Sequence, residues 1–181
     1  MQHILSDGNR KEAGYDLIKP RLLLVDDEPG LLMSNGLALQ HRLSGYDIVM
    51  ALGPGRALSE IRRDPHGWAG IVTDFLMPYM HGADLLAASV IYSYGEHHYG
   101  NLFRLLVSSS REHRLPRNQG SIDLERVAEE MGVPFMLRPS GPLEFAAAVK
   151  DRLHRHQEHR GYELVDGHLV PKDVSYLERL N

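Results

Sequence analysis

No cysteine occurs among the 181 residues, so neither a disulfide framework nor a thiolate metal site is available to this chain. No apolar run approaches the roughly 20 residues that a membrane-spanning helix needs. The opening MQHILSDGNRKEAGYD also lacks an apolar stretch of the signal-peptide kind. These absences lead to the expectation of a cytoplasmic chain with no membrane association. Positive charge is not in excess either: a net charge of -4 gives no general attraction to nucleic acid, and direct DNA binding is disfavoured. The single tryptophan, Trp68, reads as a packing residue. The length is near the usual size of one domain, which makes a single core with additions the default.

What the chain does have is a set of apolar runs that end in carboxylates. RLLLVDDEP closes on Asp26 and Asp27, and GIVTDFLMPYMHG carries Asp74 at the end of its run. Such runs, alternating with helical patterns, predict parallel strands in an open α/β sheet, whose ligand crevice lies beyond the carboxyl ends of the strands. Carboxylates gathered there repel one another unless a cation compensates them, and a hard, oxygen-rich site that keeps several waters suits Mg²⁺.

The motifs follow in a recognisable order: the acidic pair Asp26 and Asp27, then Asp74, Met77, Pro78 and Gly82, then Ser108 at the end of LFRLLVSSS, then Arg138 and Pro139 in VPFMLRPSG. This order resembles the receiver domain of two-component response regulators, over roughly residues 21 to 158. Arg138 stands where receivers place a Lys. The resemblance implies a five-stranded parallel sheet, doubly wound in the flavodoxin-like order 2-1-3-4-5. It also divides the chain into an N-terminal extension (1–20), a receiver domain (21–158) and a C-terminal extension (159–181).

Periodicity supplies the elements between the motifs. Leu32, Gly36, Leu39 and Leu43 predict a first helix stopped by Gly45. YDIVMAL reads as the second strand and GPGRALSEIRRD as a short second helix. AGIVTD is the third strand, and Ala83, Leu86, Ala87, Val90 and Tyr94 form the apolar stripe expected of the third helix. The loop GEHHYGN then leads to the fourth strand, FRLLVS. The stretch from Ser108 to Arg138 is longer than compact receivers use: REHRLPRNQG reads as a loop, with Ser121 as cap of a helix bearing Leu124, Val127, Ala128 and Met131. Pro142 and Glu144 open a last large helix built on Phe145, Val149 and Leu153. YELV-DG-HLV predicts a C-terminal hairpin, followed by a short helix capped by Asp173. A lone hairpin is marginal in water, so packing on the domain or on a second copy, in a homodimer, is expected of this extension.

Carried onto these residues, the resemblance implies that Asp74 accepts a phosphoryl group from a sensor histidine kinase or phosphotransfer protein. Asp27, Asp74 and the Leu76 backbone carbonyl would ligate Mg²⁺, with Asp26 acting through a metal-bound water. Ser108 would hold a phosphoryl oxygen, Arg138 would supply positive charge, and Phe135 would turn with Ser108 as a switch. The reading is a stand-alone regulator, not an enzyme beyond self-phosphorylation and slow self-dephosphorylation, that signals to a downstream protein by contact. The alternative is a pseudo-receiver, an interaction module independent of phosphorylation, which the Arg at 138 supports. A phosphohydrolase of the haloacid dehalogenase type is disfavoured, because it needs an acid two residues after the nucleophile, where this chain has Leu76. His154, His156 and His159 are read as solvated side chains near a helix terminus rather than metal ligands.

Overall fold

The computed structural model describes residues 19–65, 67–92, 102–114, 120–159, 162–165 and 168–171. Five parallel strands form the main sheet: β1 (Arg21–Asp26), β2 (Asp47–Leu52), β3 (Trp68–Asp74), β4 (Phe103–Ser108) and, later in the chain, β7 (Phe135–Leu137). They lie in the order β2-β1-β3-β4-β7, which is the doubly wound order expected from the sequence with β7 as the fifth strand. β1 is central and covered on both faces, and Leu22, Leu23, Leu24 and Val25 are all buried. That is why its apolar run is continuous rather than alternating.

The period of two appears instead in which face each residue feeds. Leu22 and Leu24 of β1, Val72 of β3 and Leu105 of β4 join one core. On that side they meet Leu39 of helix α1 (Pro29–Arg42) and Phe145, Val149 and Leu153 of helix α5 (Pro142–His159). Leu23, Val25, Ile71 and Leu106 point the other way. They pack on helices α2 (Gly53–Arg63), α3 (Gly82–Tyr92) and α4 (Leu124–Glu130) through Ile61, Leu85, Leu86 and Leu124. Gly36 lets α1 lie close on the edge strand β2, since a Cβ there would fall 2.1 Å from the Met50 sulfur. At the opposite end of the sheet from the acidic motifs, Arg21 stacks 3.9 Å from the Trp68 ring centroid and pairs with Asp64 at 2.8 Å, so Trp68 is the packing residue the sequence suggested.

Three local expectations are corrected. The polar stretch after β4 is not a plain loop: β5 (Glu112–Arg114) and β6 (Ser121–Asp123) pair antiparallel, with residues 115–119 between them outside the described set. Ser121 therefore lies in a strand, and the cap of α4 is Asp123, whose Oδ1 accepts the N–H groups of Glu125 (3.0 Å) and Arg126 (3.2 Å). The buried face of α3 is formed by Leu85, Leu86 and Ser89, while Ala87 and Val90 are exposed. The helix is apolar nearly all round, so hydrophobicity alone did not select its inner face. The C-terminal hairpin forms as β8 (Tyr162–Val165) and β9 (His168–Pro171), with Val165 opposite His168. Tyr94, the GEHHYGN loop, the helix expected after Asp173 and residues 1–18 fall outside the described residues.

Candidate functional site

β1 and β3 are neighbours at the point where the chain, having laid β2 on one side, returns to build on the other. The connections leaving their carboxyl ends diverge there and open a crevice. Asp26 ends β1 and Asp74 ends β3, so the topology alone brings the two carboxylates to the same edge. The backbone then fixes their orientation. Asp26 Oδ1 accepts the N–H of Glu28 at 2.9 Å, and Asp74 Oδ2 accepts the N–H of Leu76 at 2.9 Å. The remaining oxygens meet Arg138, which follows β7: its Nη2 lies 2.8 Å from Asp26 Oδ2 and 2.5 Å from Asp74 Oδ1. Arg138 is placed by its own backbone, since its N–H donates to the Ser108 carbonyl at 2.8 Å and so extends the β4–β7 pairing by one residue.

The three side chains are no more than 12% exposed, and that burial sets the chemistry. Asp74 is pushed up from 3.8 to about 6, first by loss of solvent. The guanidinium of Arg138 pulls it back down, the charge of Asp26 raises it, the Leu76 N–H lowers it, and Asp27 raises it further. At neutral pH Asp74 is thus mainly a carboxylate, poorly hydrated and held by one cation. A buried but ionised carboxylate at a cleft is the kind of group that acts as a nucleophile.

The other anticipated residues stand around this pair at different removes. Asp27 is exposed beside Asp26. Leu76 contributes its backbone N–H to Asp74. Ser108 is 1% exposed, and its Oγ accepts the Ser110 N–H at 3.3 Å; among the described residues it makes no hydrogen bond to Asp74. Phe135, half-buried, pairs with Leu106 across β4 and β7 and packs on the core beneath the site. One support was not singled out from sequence: Thr73 is fully buried and its Oγ1 donates to the Asp74 carbonyl at 3.0 Å. Gly82, which the motif order did include, sits where a Cβ would come 2.1 Å from that same oxygen. The Thr immediately before the strand-end Asp was the available signal. The inserted hairpin also reaches this end of the sheet: His113 of β5 faces His81 of the β3–α3 loop, with ring centroids 6.4 Å apart.

No family model and no curated protein matches the chain. Solved structures do. A response regulator receiver domain protein from Clostridium thermocellum superposes with a TM-score of 0.56 at 15% identity, over 77% of this chain and 98% of its own. The fold is the receiver fold. A chemotaxis response regulator of Vibrio cholerae gives 0.53 at 19% identity over 74% and 97% of the two chains. A chain from Rhodopirellula baltica described as an adenylate cyclase gives 0.53 at 22% identity over 79% and 93%. Identities this low establish the shared receiver architecture and not a shared activity.

The resemblance to receivers implies Mg²⁺, and the arrangement tests it. The oxygens are of the right chemistry for a hard cation. Among the described residues, however, no three acidic or histidine side chains converge on one point, and the position of positive charge between Asp26 and Asp74 is filled by Arg138. As arranged, these residues do not form a divalent-cation cage. His154 and His156 do not join such a group either: His154 pairs with Glu158 and His156 packs edge-on against Phe103.

Proposed function

We propose that this chain acts as a response regulator in which Asp74 takes a phosphoryl group from a sensor histidine kinase or phosphotransfer protein and hands the signal on by protein contact. The observation that carries the proposal is Asp74 itself, a buried carboxylate at the carboxyl end of a central strand. It keeps its charge near neutrality, with one oxygen on a backbone N–H and the other on Arg138. Attack of the Asp74 carboxylate on a phosphohistidine would form the O–P bond of an acyl phosphate as the donor's N–P bond breaks, and the donor's histidine would leave as a neutral imidazole carrying a ring proton. The guanidinium of Arg138 suits the oxygens of the product, because its planar donors match phosphate geometry. Ser108 and Phe135, on adjacent strands below, are the residues through which the product would be sensed. Mg²⁺ would compete with Arg138 for the same oxygens. The test is uptake of phosphate from a small phosphodonor, followed by intact mass, in wild type and Asp74→Asn. Uptake by wild type alone supports the assignment, and equal uptake by both removes it.

A second reading is favoured by one feature, the double ion pair of Arg138 with Asp26 and Asp74. A pocket whose charge is already balanced suits a pseudo-receiver, which keeps the fold as a phosphorylation-independent interaction module. Failure of wild type to take up phosphate, with uptake gained by Arg138→Lys, would select it.

A further inference from the structure

We propose that Arg138 is a built-in countercation that holds divalent metal out of the acidic pocket, so that Mg²⁺ binds only by displacing the Arg138 ion pairs. A hard cation at this edge would need one oxygen each from the carboxylates at the ends of β1 and β3. Those oxygens, Asp26 Oδ2 and Asp74 Oδ1, are the two that a single nitrogen of Arg138 bridges. The companion oxygens are turned away to the backbone N–H groups of Glu28 and Leu76. Asp27 stays exposed, and among the described residues no other acid or histidine completes a set.

Three properties of Arg138 make the occupation persistent. Its backbone is tied to the Ser108 carbonyl, so its Cα is part of the sheet and not of a free loop. Its guanidinium is a planar fork of donors, which lets one nitrogen serve both carboxylates at once. Its side chain is only 12% exposed, which leaves little water to screen the attraction. The arrangement is also not fully satisfied, because Arg138 Nε is buried without a hydrogen-bond partner. The clamp therefore gives way to a stronger claim on the same oxygens, or swings to an anion that offers Nε an acceptor. The inference deepens the phosphoacceptor reading, on which its biological meaning rests: metal entry and the Arg138 clamp become alternatives at one site.

The experiment is a titration of the full chain with MgCl₂ at constant ionic strength, read by calorimetry and by backbone amide shifts of residues 26–28 and 74–76. It compares wild type, Arg138→Gln, Arg138→Lys and the double variant Arg138→Gln with Asp26→Asn. Removing one unit of charge from this pocket should tighten Mg²⁺ binding by about tenfold or more in Arg138→Gln. Arg138→Lys, which keeps the charge on a compact, mobile group, should fall between that variant and wild type. The double variant should lose the gain. Should Arg138→Gln fail to fold, Arg138→Lys against wild type decides alone, with tighter binding required. Affinities equal within about twofold across the Arg138 series would overturn the proposal. Phosphate uptake is measured on the same samples: equal affinities with uptake intact sink the competition and spare the phosphoacceptor reading. Tightened Mg²⁺ binding with no uptake in any sample does the reverse.

Discussion

Replacing Arg138 by Met keeps most of the side-chain length, removes the charge, and leaves the carboxylates of Asp26 and Asp74 interacting in a pocket where they are 7% and 12% exposed. Removing one partner of a buried pair costs about 3–5 kcal/mol, and the lower end applies here because Asp74 can respond by taking up a proton. A loss of about 3 kcal/mol should lower the melting temperature by roughly 6–12 °C for a chain of this length. The pH dependence distinguishes this cause from simple loss of packing. Asp74 stands at about 6 in the folded protein against 3.8 ordinarily, so its protonation favours the folded state. That stabilisation is complete below 3.8 and is lost as pH rises through about 6. Removing Arg138 takes away the main downward pull on Asp74 and moves the upper edge of this window higher. The deficit of Arg138→Met relative to wild type should therefore be greatest at alkaline pH and shrink as the solution is acidified. Urea unfolding of both proteins at several pH values measures it. A deficit under about 0.5 kcal/mol at neutral pH, or one that grows on acidification, would refute the account of the pocket as a charge-compensated pair.

Phosphate uptake from a small donor should rise with pH through about 6, because the protonated acid is not a nucleophile and burial has moved its titration to that point. A midpoint near an ordinary carboxylate, found by initial rates of adduct formation, would contradict this. Gly82→Ala places a Cβ against the Asp74 carbonyl, where a contact of 2.1 Å forces the turn to shift; a loss of about 2 kcal/mol in chemical denaturation and slower uptake are expected. Leu76 offers an apolar side chain at the position where receivers often carry a polar residue that places the attacking water. The phosphorylated protein should therefore decay slowly and Leu76→Asn should accelerate the decay; an unchanged or slower rate in the variant removes that explanation.

The parts legible in sequence are those where one physical rule dominates locally. The continuous apolar run of β1 announced a strand buried on both faces, and an Asp at its end placed a carboxylate at the sheet's ligand edge. Pro142 with Phe145, Val149 and Leu153 marked α5, whose three apolar residues are all buried. The inserted hairpin was not legible because β5 and β6 are three residues each, mostly exposed and polar, with no apolar alternation to report them. Asp123 displaced Ser121 as the cap of α4 for the same reason, since the short strand before it decided where the helix begins. In the site, sequence gave Arg138 as a source of positive charge. That one of its nitrogens bridges Asp26 and Asp74 depends on how β1, β3 and β7 bring three distant chain segments together, which no local pattern encodes.

The central claim is that Asp74 is the phosphoacceptor. The most direct test is treatment of the 181-residue chain with a small phosphodonor, reduction of any acyl phosphate with borohydride, and peptide mapping. The account predicts conversion of residue 74 to homoserine, with Asp26 and Asp27 unmodified. An unmodified Asp74 under conditions where a known receiver is labelled, or label at another residue, would contradict it.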